Sequence, residues 1–306
     1  MFRCFFVSKV SVIFSLLFGL AACGGGGGSS GTTTTAFTSW LNITHPSTVS
    51  VAAKGYEGTY SYNVATSAVT SVGVASQASS PTLKLTYDSA GTLTKADLAT
   101  STQTQAYDSF SSANANNTLF FGLKTTDSSD WALAAEPIDD DLNWRYQSIA
   151  IWTDPDGGSG RYGAITGGAS TVGASIPTSG ATTFSGYGGG FYSDSSNNIY
   201  VTQSSVSATA NFASRSVSVT ATDTGKQLYD GATATFGTYT NDSNLNFSGT
   251  LTYGAADNNL SGTLTTTSGM SGPAIGSFYG PDANEIGAAF NMTGGSQTYV
   301  GAFGAK

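Results

Sequence analysis

Cysteine, histidine and charge are all scarce in this chain. Of 306 residues, two are cysteines, one is a histidine, and charged residues make up 10%, against roughly 25% in ordinary globular proteins. The lone histidine, His45, excludes a two-His metal site. No nucleophile and base are grouped around it, which argues against an exported enzyme. Basic residues number 11 against 19 acidic ones, and no Lys/Arg cluster forms the patch that nucleic acid requires. An acidic balance steers basic partners but equally keeps exported proteins soluble.

The two cysteines fall in revealing places. Residues 1–22 begin with Arg3 and Lys9, continue through the apolar run Val10 to Leu20, and end in Ala21 and Ala22. This is the pattern of a secretory signal, too short to span a membrane. Cys4 leaves with it. The tetrad Leu20-Ala21-Ala22-Cys23 resembles the bacterial lipobox, which implies lipidation at Cys23; an ordinary signal-peptidase site is the alternative reading. With both thiols accounted for, no internal disulfide, Cys metal site or redox pair is expected. Multiple acyl chains would give lasting attachment. Residues 23–35, rich in Gly, Ser and Thr, read as a flexible tether. Without Arg3 and Lys9 the mature chain carries 9 basic against 19 acidic residues.

What is abundant is Gly, Ser, Thr and Asn, a mixture that favours short strands and turns over helix. Alternation of period two is clearest late in the chain. Val206, Ala208, Ala210 and Phe212 share one face and Val217, Val219 and Ala221 another, with Ala213 to Ser216 turning between them. A second hairpin runs through Leu245, Phe247, Gly249, Leu251 and Tyr253, turns over Gly254 to Asn259, and returns through Leu260, Gly262 and Leu264. Gly249 and Gly262 then stand where backbones approach closely. Strands are also predicted over Gly58–Val64, Thr82–Tyr87, Thr118–Leu123 and Tyr146–Thr153.

The ending is the most specific pattern. Gly276-Ser277-Phe278-Tyr279-Gly280-Pro281-Asp282-Ala283-Asn284-Glu285-Ile286-Gly287 leads to a terminal Gly301-Ala302-Phe303-Gly304-Ala305-Lys306, and Pro177-Thr178-Ser179-Gly180 opens the same stretch. These residues resemble the C-terminal β-barrel of transferrin-binding-protein-B-like surface lipoproteins, in a single-lobe form. The resemblance implies an all-β chain: a mixed, mostly β handle domain over 36–157, then a soluble antiparallel barrel of about eight strands over 158–306, with the boundary in the Gly-rich stretch from Asp154 to Gly180. It also implies an outer-membrane lipoprotein displayed at the cell surface. Such a protein binds a protein or an iron- or haem-bearing solute and presents it to an integral, TonB-dependent receptor. A structural or adhesive surface lipoprotein is the alternative. A transmembrane barrel fits less well, because its strands need about 9–11 residues with an apolar outer band, whereas the alternating runs here are shorter and backed by Ser, Thr and Asn.

No cofactor or catalytic residue is expected. His45 reads as a solvent-exposed loop residue, with haem ligation the functional alternative. Glu136, Asp139, Asp140 and Asp141 read as a solvated loop or helix start, with a contribution to a Ca²⁺ site the alternative; they lack EF-hand spacing. Asp154-Pro155-Asp156-Gly157-Gly158 reads as a turn. Gly186 to Gly190 reads as a Gly-rich turn between strands and lacks the ending of a phosphate-binding loop. Glu285 is expected to hydrogen-bond backbone within its own turn and fix barrel closure. Binding residues are sought among the 32 Tyr and Phe residues, since aromatics on a rigid scaffold anchor interfaces.

Overall fold

The computed structural model describes residues 39–100, 102–112, 119–135, 142–230 and 235–306. The signal, the tether, Cys23 and the acidic cluster Glu136, Asp139, Asp140 and Asp141 lie outside these residues. Phe37–Lys306 forms one compact unit, in which every described regular element is a strand or a three-residue 3₁₀ turn. The part expected to be mixed is therefore β throughout its described residues.

Eleven strands make the first sheet: β1 (Ser47–Tyr62), β2 (Val69–Val72), β3 (Ser76–Gln77), β4 (Thr82–Tyr87), β5 (Leu93–Ala99), β6 (Thr104–Tyr107), β7 (Ser109–Ser112), β8 (Leu119–Lys124), β9 (Asp127–Ala135), β10 (Gln147–Asp156) and β11 (Ser159–Gly168). Their order is β6-β5-β4-β1-β11-β10-β9-β8-β7, with β2 and β3 paired to β1. The two ends of this path, β6 and β7, are separated in sequence by Asp108 alone, so the sheet nearly closes through the chain itself. Asp108 also accepts hydrogen bonds from Thr125 N at 2.8 Å and Thr125 Oγ1 at 2.9 Å. Tyr107, Trp152, Ile165, Leu98 and Ala96 fill its interior.

The second sheet contains β12 (Ala181–Ser193), β13 (Ile199–Asn211), β14 (Ser216–Asp230), β15 (Thr235–Phe236), β16 (Thr240–Asn241), β17 (Phe247–Thr252), β18 (Leu260–Thr266), β19 (Ser271–Tyr279), β20 (Glu285–Gly294) and β21 (Gln297–Ala305). Pairing of β13 with β14 and of β12 with β21 closes eight of them into an antiparallel barrel. The predicted hairpins are β13/β14 and β17/β18, and their apolar faces point inward. Phe184, Phe278, Phe290, Tyr299 and Phe303 join Leu251 and Leu264 in the filled interior, as an eight-stranded barrel allows.

Some local expectations change. The residues Gly186 to Gly190 are not a turn but the middle of β12. Gly186 and Gly190 lack room for a side chain because β21 crowds them: a Cβ on Gly190 would stand 2.5 Å from the Val300 carbonyl oxygen. The strands β12, β13 and β14 run 13, 13 and 15 residues, longer than the alternating runs suggested. Their outer faces still carry exposed Thr183, Ser185, Ser207, Thr209, Ser218 and Thr220, the opposite of a lipid-facing band. Gly157 and Gly158 do form a turn, with φ of +54° and +98°. That turn lies inside the first sheet, because β11 pairs with both β1 and β10. The change of sheet therefore comes between Gly168 and Ala181, within 154–180 but later than residue 157.

Candidate binding site

The ending of the chain has two buried faces. In β20, Ile286, Ala288, Phe290 and Met292 enter the barrel core, while Glu285, Gly287, Ala289 and Asn291 point outward and are also buried. The first sheet covers that outer face. A Cβ on Gly287 would collide with Thr166 Oγ1 and Gln147 Oε1, and one on Gly304 would lie 2.7 Å from the Trp144 ring. Asn291 Nδ2 donates to the Ala75 carbonyl at 2.7 Å, and Gln147 Nε2 donates to Ala305 O at 3.0 Å.

Glu285 belongs to this seat rather than to its own turn. Its Oε1 accepts from Arg145 N at 2.5 Å, and its Oε2 accepts from Tyr146 N at 3.0 Å and Gln147 N at 3.1 Å. These are the amides that lead into β10. The side chain is 1% exposed, and burial pushes its carboxyl up to about 7 against the opposing pull of the three amides. Lys54 of β1 makes a second tie, donating to Gly276 O at 2.5 Å and Asn259 Oδ1 at 2.9 Å. Burial lowers its ammonium to about 8.

Next to this seat, the two sheets part around an open cavity of about 630 Å³. One wall comes from β1 and the turn after it, with Tyr60, Tyr62 and Val64; Trp131 and Tyr162 join from β9 and β11. The barrel contributes Phe191 from β12, the turn Ser193 to Ile199, and Leu228 and Tyr229 at the end of β14. Trp131 is the hub: its ring centroid lies 5.5 Å from Phe191, 5.2 Å from Tyr229 and 5.8 Å from Phe236. Its Nε1 donates to Tyr229 Oη at 2.9 Å, which fixes both rings. Tyr162 is held by its hydroxyl donating to Gly73 O at 2.7 Å, and Tyr60 by Thr153 Oγ1 at 3.0 Å. The rim exposes Val64, Leu228 and Phe236, at 66%, 43% and 38%. Exposed apolar residues around a concave aromatic wall are the ordinary signature of a binding site.

Among the described residues no group of three His, Cys, Asp or Glu could hold a metal, and no helix is long and apolar enough to cross a membrane. The hydroxyls of Tyr60 and Tyr162 are pushed up by burial, so neither offers a phenolate. His45 is exposed and leans on Tyr87, with ring centroids 5.4 Å apart. Asp154 is near the cavity but turned to Asp130: burial, then the Asp130 charge, raises it to about 6. Asp130 in turn pairs with Lys124 at 2.8 Å. The cavity residues were invisible as a group in the sequence because they come from widely separated strands of both sheets and from the turns between them. Their only sequence signal was aromatic abundance.

A family profile described as the C-lobe and N-lobe beta barrels of Tf-binding protein B matches residues 176–306. Among solved structures, a Transferrin Binding Protein B mutant from Haemophilus parasuis Hp5 is 13% identical, covering 84% of this chain and 76% of that one at a TM-score of 0.39. A mutant of the same protein from Actinobacillus pleuropneumoniae H49 is 12% identical, covering 82% and 99% at 0.35. The N-lobe domain of Lactoferrin Binding Protein B of Moraxella bovis is 12% identical, covering 53% and 77% at 0.32. No curated protein matches.

Proposed function

We propose that the chain is a non-enzymatic binding lipoprotein in a single-lobe form, a reading supported by the match of residues 176–306 to the Tf-binding protein B lobe barrels. Its ligand is a protein or an iron- or haem-bearing solute, held where the first sheet meets one end of the barrel. The carrying observation is the aromatic cavity with its exposed apolar rim. Rigid aromatic walls provide contact area at low entropic cost. In this reading Cys23 carries the lipid, residues 24–35 tether the folded part to the outer membrane, and a TonB-dependent receptor takes over the ligand.

The test uses the full chain with two variants. Leu228→Asp alters the rim, and Thr220→Asp alters the barrel wall as a control. Retention of transferrin-type proteins, haem proteins and free haem is measured for each. Loss of retention in the rim variant alone supports the reading; equal retention by all three forms contradicts the site, and no retention by any form favours the adhesive alternative. Cys23→Ala is expected to release the protein from membranes, and unchanged attachment would remove the anchor from the account.

A further inference from the structure

Haem and other anionic solutes need cations to hold their carboxylates, and the cavity supplies none. Among the described residues its lining contains no Lys, Arg or His. The nearby Lys226 is committed to Asp242 Oδ2 at 2.7 Å and lies over the ring of Tyr200 at 4.7 Å. A purely apolar guest would leave part of the mouth unmatched, because the barrel side of the rim sets a polar turn beside exposed Leu228. Asp194 Oδ1 accepts from Ser196 N at 2.8 Å and Asn198 N at 3.0 Å, which fixes the turn and presents Asn197 with φ +63°. Asn197 Nδ2 then donates across to Thr70 O at 3.2 Å, leaving its amide oxygen as an acceptor at the mouth.

We infer that the cavity binds a neutral saccharide unit, one face laid on the half-buried rings of Tyr62 and Tyr229, the latter backed by buried Trp131, and its hydroxyls met by the Ser193 to Asn198 turn. The physical match is direct. The electron-rich face of an aromatic ring attracts the weakly positive C–H groups on one side of a pyranose ring, while amide and hydroxyl side chains exchange hydrogen bonds with its edge. A neutral sugar brings no charge of its own, so no desolvation penalty of an ion arises on its side. A cavity of about 630 Å³ is within the range of small-ligand sites and is open enough for a chain of sugars to continue outward. This inference rests on the binding reading of the cavity but sets a saccharide, free or carried on a protein, in place of the haem-bearing solute.

The experiment titrates the full chain with lactose, maltotriose and chitotriose, then with albumin bearing the same sugars and with bare albumin, following the fluorescence of the buried Trp131. Nile red, a neutral apolar dye, is run in parallel. Tyr62→Ala removes one stacking face at the rim and Asn197→Ala one acceptor. Each is expected to weaken saccharide binding by about 10-fold, the worth of one well-placed contact, with unfolding midpoints unchanged. Binding of a free sugar, or of the conjugate but not bare albumin, in either case weakened by both variants, supports the inference and separates the two sources. Dye binding that Tyr62→Ala weakens, with no response to any sugar or conjugate, overturns the saccharide while keeping the cavity as a site. No response to sugar or dye overturns both.

Discussion

The barrel and the first sheet are built from the same Thr- and Gly-rich alphabet but reach stability by different routes. The barrel closes on itself with a continuous hydrogen-bonded wall and a large filled interior. The first sheet has a smaller interior of its own; several of its large side chains, Tyr56, Trp131, Ile151 and Tyr162, instead cluster with Phe191, Ala289, Val300 and Ala302 on the outside of the barrel. One region is self-contained and the other leans. The lesson is that β20 and β21 serve two cores at once, and the cavity opens where that shared packing stops.

The sharpest way to break the comparison is at Glu285. Glu285→Ala leaves three buried amides without their acceptor, at about 1–3 kcal/mol for each group left unsatisfied. The expected outcome is a loss of several kcal/mol by urea denaturation, with hydrogen exchange accelerated at residues 145–147 and in β10 before the barrel strands. Gly287→Val should act on the same seat more mildly, about 1–3 kcal/mol from overpacking against Thr166 and Gln147, again loosening the first sheet first. If either change melts both sheets together, the barrel is not the self-contained partner described above.

A pH series sharpens the comparison. The Glu285 carboxyl is raised from its ordinary 4.5 to about 7, so the folded state holds this proton more tightly than the unfolded one. Its contribution to stability is complete below pH about 4.5 and is lost as pH rises through about 7. Asp154, raised from 3.8 to about 6, acts in the same direction over its own window. Urea midpoints between pH 4 and 8 should therefore fall more steeply in the natural chain than in Glu285→Gln, which has no proton to lose; parallel curves would contradict the assignment. The smallest effect is expected on the barrel's exposed wall. Thr220→Ala should change stability by no more than about 0.5 kcal/mol, whereas a loss comparable to that of Gly287→Val would mean that this face is also covered.

How much of this was legible in sequence follows from the same comparison. The hairpins β13/β14 and β17/β18 were readable because one face is apolar and the other is Ser and Thr in water. The residues around Phe278 and Phe303 identified the barrel, yet their outward neighbours Gly287, Ala289, Ala302 and Gly304 suggested closure alone, since small residues do not announce what packs on them. The available signal was the lack of Ser and Thr at the outward positions of 285–291 and 300–304, unlike the strands of the opposite wall. Glu285 was recognised as a backbone binder, but its partners lie about 140 residues earlier, a distance that no local pattern encodes. The cavity was beyond reach for the same reason: Tyr62, Trp131, Phe191 and Tyr229 meet only after both sheets have formed.

The central claim is that ligand enters where the leaning sheet and the closed barrel part. Hydrogen exchange of the full chain, with and without a retained ligand, tests it most directly. The account predicts added protection in the turn after Tyr62, across Ser193 to Ile199 and at the end of β14, with the wall of β17 and β18 unchanged. Protection on that wall, or none around the cavity while ligand is bound, would contradict it.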